Sequence, residues 1–270
     1  MDLNKNSKHI LELSVVLFAV LVGFWVFISL TNQNANYKLA FGATYGLMAL
    51  LGAIFGLLNA NKWGGRKSAL GLTIIFLSVG LLFAEFGQLV FSYYNIIKSV
   101  EVPYPSLADI GFFGSIPFYI LGASYLGKSS GVKFGIKKPT AKLLAFLLPV
   151  FALYNAYHFF LAQYTVGNSS ILKVFLDFGY PIGQAIYVSI AAFIFLTVRG
   201  SLGGIMKNRI MLVLLAFLAQ FAADFNFLYQ SAHSTWTNGG YGDLMYLIAY
   251  FMMTISIVYL CSPLKESSKA

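Results

Sequence analysis

Cysteine, charge and catalytic signatures are all scarce in this sequence. The single cysteine, Cys261, rules out an internal disulfide and any multi-cysteine metal site. Only 10% of the residues are charged, against about 25% in soluble domains. There are three histidines, and only His158 falls inside an apolar run, so a multi-histidine zinc site within such runs is excluded. No apolar run carries a lysine, which leaves a retinal-type Schiff base without an anchor. The chain contains no Walker loop, no GxSxG elbow and no helix of regularly spaced arginines. None of these motifs therefore dictates a reaction or calls for a cofactor.

What the chain has in excess is apolar surface, with 59% hydrophobic residues. A soluble fold of this composition would expose aggregating patches, whereas a bilayer is itself an apolar solvent. Runs near 20 residues cross about 30 Å of hydrocarbon as helices. They occur at 14–30, 39–58, 69–94, 107–126, 143–162, 174–198, 210–229 and 244–260. The expected fold is all-α: a polytopic membrane bundle of eight transmembrane helices, one integral membrane domain. It is built from helical hairpins at about 10–60, 68–128, 141–199 and 208–261. The first run is long and aromatic with no small-residue cleavage site after it, and is expected to be a retained helix. Pro117, Pro149 and Pro181 lie inside runs and are expected to kink them.

Charge sets the expected orientation. With both termini in the cytoplasm of a cell-membrane protein, all of the 18 lysines and arginines except Lys38, Lys98 and Lys173 fall on the inner side. This is the positive-inside pattern. It accounts for the net charge of +9 through contact with anionic lipid headgroups, without nucleic acid as a partner. Cys261 falls near the inner end of the last run, where packing is the plain reading and reversible lipidation the other.

The acidic residues are patterned. Asp2, Glu12 and Glu266 are expected in the cytoplasm and Glu101 in an outer loop. Glu85, Asp109, Asp177, Asp224 and Asp243 map to the outer part of the bundle, where an ionisable group is costly and a functional candidate. Three returning helices open on an aspartate followed at the third position by an aromatic: Asp109 with Phe112, Asp177 with Tyr180, Asp243 with Tyr246. This spacing reads as an internal repeat of duplicated hairpins. The plain role of such aspartates is helix capping. PSLAD reads as a capping box, Ser106 at the N-cap and Asp109 three residues on, and Asp243 is assigned a structural cap as well.

On the outgoing helices, Glu85, His158 and Asp224 lie at comparable heights, about 21–24 Å above the inner starts of their runs. Gln88, Asn155 and Gln220 lie one turn away from them. A satisfied structural hydrogen-bond network explains such a layer. So does an outward-opening ligand pocket, lined by Glu85, Gln88, His158, Asp177 and Asp224 with Tyr180 and Tyr246 as aromatic walls. A Glu85–His158–Asp224 metal or hydrolytic site is a third possibility.

The segment PYPSLADIGFFGSIPFYILGASYLG resembles the "P-x-P-S-x-A-D" hairpin of multi-helix N-terminal membrane sensor modules, which precede diguanylate cyclase or histidine kinase domains in bacterial and archaeal signalling proteins. FLDFGYPIGQAIYV and GGYGDLMYLIAYFM resemble later hairpins of the same modules. The resemblance implies a sensory input unit. With no output domain after Ser262, signalling is expected to pass through a separate cytoplasmic partner. An intramembrane lipid hydrolase similar to the lysoplasmalogenases is a more distant comparison. A structural subunit of a membrane complex and a proton-coupled transporter are further alternatives. No oligomeric state follows from the sequence.

Overall fold

The computed structural model describes residues 3–31, 35–130, 139–162, 170–201 and 205–262, all helix and connecting turn without a strand among them. Lys133, Lys137, Lys138, Lys265, Lys269, Asp2 and Glu266, placed by charge above, lie outside the described residues.

The helices are α1 (Lys5–Thr31), α2 (Ala35–Thr44), α3 (Leu47–Asn59), α4 (Ala69–Ser92), α5 (Leu107–Ser129), α6 (Pro139–Ala156), α7 (Ile171–Ser201), α8 (Ile205–Ala232) and α9 (Tyr241–Cys261). A π-helical turn extends α4 through Tyr93–Ile97, and another extends α6 through Tyr157–Leu161. With α2 and α3 taken as one interrupted span, eight helices are long and apolar enough to cross a membrane. Apolar side chains also cover the outside of the bundle, Leu30 at 81% exposure and Phe146 at 67% among them. That surface is one a lipid solvent accommodates and water does not.

Several ends differ from the apolar runs because backbone hydrogen bonding continues into polar sequence. α1 starts at Lys5 because the Asn4 side chain accepts the Ser7 N–H at 2.8 Å, a working N-cap. Ser68 caps α4 by accepting the Gly71 N–H at 2.9 Å. Helices continue through Pro117, Pro149 and Pro181. The break between α2 and α3 falls at Tyr45–Gly46, where no proline stands.

Packing closes six helices into a ring in the order α3, α4, α5, α7, α8, α9, and α9 returns to α3. Glycines permit the closest approaches, since van der Waals packing replaces the hydrophobic effect between helices in lipid. A Cβ on Gly111 would fall 2.2 Å from the Gly87 nitrogen, so α4 and α5 meet backbone to backbone. A Cβ on Gly52 would fall 2.3 Å from Thr254 Oγ1, and that hydroxyl donates to the Met48 carbonyl at 2.9 Å, joining α3 to α9. α1 lies outside the ring against α9. Its buried residues Ser7, Ser14, Leu21 and Ile28 recur every seventh position, the mark of a narrow seam. Phe18 stacks on Phe251 at 4.1 Å across that seam, and Trp25 Nε1 donates to the Gly240 carbonyl at 3.1 Å. α6 flanks the ring against α7, with its π turn reaching α8.

Candidate functional site

The ring interior is lined by tyrosines that donate to carboxylates. On α8, Asp224 accepts three donors: Tyr187 on Oδ2 at 2.8 Å, Gln220 on Oδ1 at 2.9 Å and Tyr246 on Oδ1 at 3.1 Å. Three helices, α7, α8 and α9, therefore share one acceptor. The Tyr246 ring lies 6.4 Å from Tyr45 and 6.0 Å from Tyr250, and Tyr45 lies 6.1 Å from Tyr250. Tyr45 in turn donates to Gln88 Oε1 at 2.8 Å, and Gln88 Nε2 donates to the Gly42 carbonyl at 2.5 Å. That carbonyl belongs to the last turn of α2, where the interruption leaves acceptors for side chains to satisfy. A chain of contacts thus runs from Gln88 on α4 through Tyr45, Tyr246 and Tyr250 to Asp224. Tyr119 completes the lining from α5, its ring 6.1 Å from Tyr187 and 5.9 Å from Phe217.

Glu85 is 4% exposed and sits one turn below Gln88 on α4. It faces the interruption so closely that a Cβ on Gly46 would lie 1.9 Å from its Oε2. Only glycine admits the carboxylate at this point. Glu85 Oε2, Tyr119 OH and Gln220 Oε1 are buried atoms without a hydrogen-bond partner. Because helix continues to Ile97, Glu85 stands about 24 Å from one end of its span and about 18 Å from the other. It is therefore nearer the middle than the apolar run alone implies.

A second group closes the end of the ring near the 98–106 connection. Asp109 accepts the Ser106 N–H on Oδ2 at 2.7 Å, and Ser106 accepts the Ala108 N–H at 3.1 Å, forming a capping box. Its other oxygen, Oδ1, accepts the Tyr180 hydroxyl at 2.8 Å, so one aspartate both caps α5 and ties it to α7. Asp177 accepts the Tyr104 hydroxyl at 2.8 Å. Asp243 reaches back to the Gly239 N–H at 2.6 Å, the carboxylate half of a capping arrangement on α9. It also approaches Gly42, whose Cβ would lie 3.8 Å from Asp243 Oδ2.

Of the residues expected in the pocket, Glu85, Gln88, Asp224 and Tyr246 come together through Tyr45 and Tyr250. Asp177 and Tyr180 belong to the α5–α7 end group. His158 joins neither. It stands exposed in the π turn after α6, its ring stacked on Tyr154 at 5.8 Å and edge-on to Phe159 at 5.3 Å. α6 lies outside the ring, so equal height along the helix does not bring His158 to Glu85 or Asp224. Among the described residues no three His, Cys, Asp or Glu side chains group closely enough to hold a metal ion. His158→Ala is expected to change unfolding free energy by no more than about 0.5 kcal/mol, as at other exposed positions. A larger loss in detergent unfolding would assign the ring a structural partner.

Tyr45, Tyr119, Tyr187 and Tyr250 were not legible as site residues, because a tyrosine inside an apolar run reads as bulk. The available signal was spacing: Tyr246 and Tyr250 lie four apart and share a helix face, as do Gln220 and Asp224. The comparisons add no relative, since the chain matches no family model, no curated protein and no solved structure.

Proposed function

We propose that the chain is a receptor-like sensory module of the cell membrane, whose polar ring interior is read by a separate cytoplasmic partner. The reading takes both termini as cytoplasmic, the site as opening toward the extracytoplasmic face and the cationic connections as facing anionic lipid. One observation carries it: Glu85, a buried carboxylate with an unpartnered oxygen, is pressed against the junction of α2 and α3. An occupant at that oxygen acts on a discontinuity in the backbone. From there α3 runs unbroken to the turn at Ala60–Trp63 at the other end. A local change in packing is thereby offered a rigid lever. The likeness of the hairpin around Asp109 to sensor modules favours the same reading. The hydrolase alternative has no assembled residues to favour it.

The test uses a thiol introduced by Lys62→Cys in a Cys261→Ala background, in nanodiscs. The labelling rate is expected to differ several-fold between the chain with Glu85 and the same chain carrying Glu85→Gln. Equal rates would remove the transmitted signal and with it the sensory reading. Reporter tags in 131–138 and 236–240 are expected in opposite compartments, the first cytoplasmic. Finding both on one side would reject the orientation.

A further inference from the structure

The ring interior holds Glu85, Asp224 and Asp243, all carboxylates. Among the described residues the ion pairs are Lys8–Glu12 and His9–Glu12, far along the chain from these three. The buried Arg209 donates to the Ser262 carbonyl, at the opposite end of α9 from Asp243. Asp224 and Asp243 are thus served by tyrosine hydroxyls, a glutamine and a backbone N–H, with no cation among those partners. Hydrogen bonds from neutral donors soften the cost of an interior negative charge but do not cancel it.

The unpartnered atoms narrow what would complete the site. The ionised Glu85 Oε2 and the Gln220 Oε1 are acceptors only, and Tyr119 OH can accept as well as donate. All three are at least nine-tenths buried: Glu85 and Gln220 at 4% exposure, Tyr119 at 1%. They come from α4, α8 and α5, three sides of one ring. Tyr45, Tyr187, Tyr246 and Tyr250 line the same interior. Aromatic faces attract a cation and cover its methylenes, while acceptors take its N–H groups. A metal ion would use the oxygens and leave the rings idle. A quaternary ammonium would use the rings and leave the acceptors unbonded.

We propose that the ring interior binds a small organic cation bearing N–H donors, a protonated primary or secondary amine, with Glu85 as its counter-ion and Tyr119 and Gln220 as accepting partners. This names the ligand class of the sensory site and rests on that reading for its biological meaning, though not for the binding itself.

The test is thermal unfolding of the purified chain in phosphatidylcholine nanodiscs at neutral pH, titrated with n-butylammonium, 1-butanol, tetramethylammonium or sodium chloride. Saturable stabilisation by butylammonium is expected, with butanol and sodium without effect and tetramethylammonium weaker. Glu85→Gln, which keeps the side-chain shape, is expected to weaken the butylammonium response at least about tenfold. Tyr119→Phe, which removes one hydroxyl, is expected to weaken it less. Phosphatidylethanolamine added to the nanodisc separates the sources of the ammonium: stabilisation by that lipid, lost in Glu85→Gln, would assign the ammonium to a headgroup. An unchanged response in Glu85→Gln, or butylammonium no better than sodium, would overturn the proposal. The assay contains no thiol reporter, so amine binding with an unaltered Lys62→Cys labelling rate would retain the ligand and reject only the sensory reading.

Discussion

Gly111→Leu is expected to destabilise the folded chain by about 3 kcal/mol or more, the upper range for overpacking a tight interface. A Cβ at this position meets Gly87 N at 2.2 Å, Gly87 Cα at 2.5 Å and the Phe83 carbonyl oxygen at 2.6 Å. Every one of these is backbone, so no rotamer change relieves the clash, and α4 must separate from α5. Contacts along the whole seam would suffer, because a Cβ on Gly80 already meets Tyr119 at 2.5 Å and one on Gly122 meets Leu77 at 2.8 Å. Gly23 in α1 has nothing within 4 Å of its Cβ position. Gly23→Ala should therefore be neutral, or stabilising by up to about 1 kcal/mol through helix propensity. Denaturant titration of both variants in mixed micelles measures the contrast. Comparable stabilities for Gly111→Leu and the parent chain would contradict the backbone contact.

The second large effect is at Asp224. Asp224→Ala removes the shared acceptor of Tyr187, Gln220 and Tyr246 at once. Interhelical hydrogen bonds in membranes average about 0.6 kcal/mol and reach about 1.7 kcal/mol. The loss of three, with buried donors left unpaired, amounts to about 2–5 kcal/mol. Asp224→Asn keeps one carbonyl acceptor and should fall between alanine and the parent chain. A double-mutant cycle with Tyr187→Phe is expected to show coupling of about 0.5–1.5 kcal/mol. Additive losses would mean that the hydroxyl and the carboxylate do not share energy.

The sequence made the number of spans plain, because an uncharged apolar run of about 20 residues matches the hydrocarbon thickness and suits few soluble helices. It carried no sign of the break between α2 and α3 at Tyr45–Gly46. Proline announces a missing donor, yet helices continue through Pro117, Pro149 and Pro181, where a bilayer-embedded bundle can satisfy the freed carbonyls. The interruption at Tyr45–Gly46 carries no such mark, and its cause is tertiary: Glu85 of a neighbouring helix fills the space beside Gly46, and Gln88 donates to the Gly42 carbonyl. Residue counting put Glu85, His158 and Asp224 at one height, but the face each presents was not legible. Which helices form the ring was not legible either, since that depends on glycine contacts between distant segments. His158 fell on a flanking helix for this reason. The aromatics three residues after Asp177 and Asp243 showed another limit. Tyr180 and Tyr246 donate to Asp109 and Asp224, on other helices, rather than to the acid that precedes them.

Closure of the ring between α3 and α9 sets a condition on biogenesis. Helices enter the bilayer in the order they are synthesised. Until α9 emerges, Asp224 lacks the Tyr246 donor, and the glycine face of α3 at Gly52 has no Thr254 to receive it. The nascent bundle is then an open arc with an acid on its rim. That edge faces lipid with two of its three donors for Asp224 in place, and the exposure ends when the last helix docks.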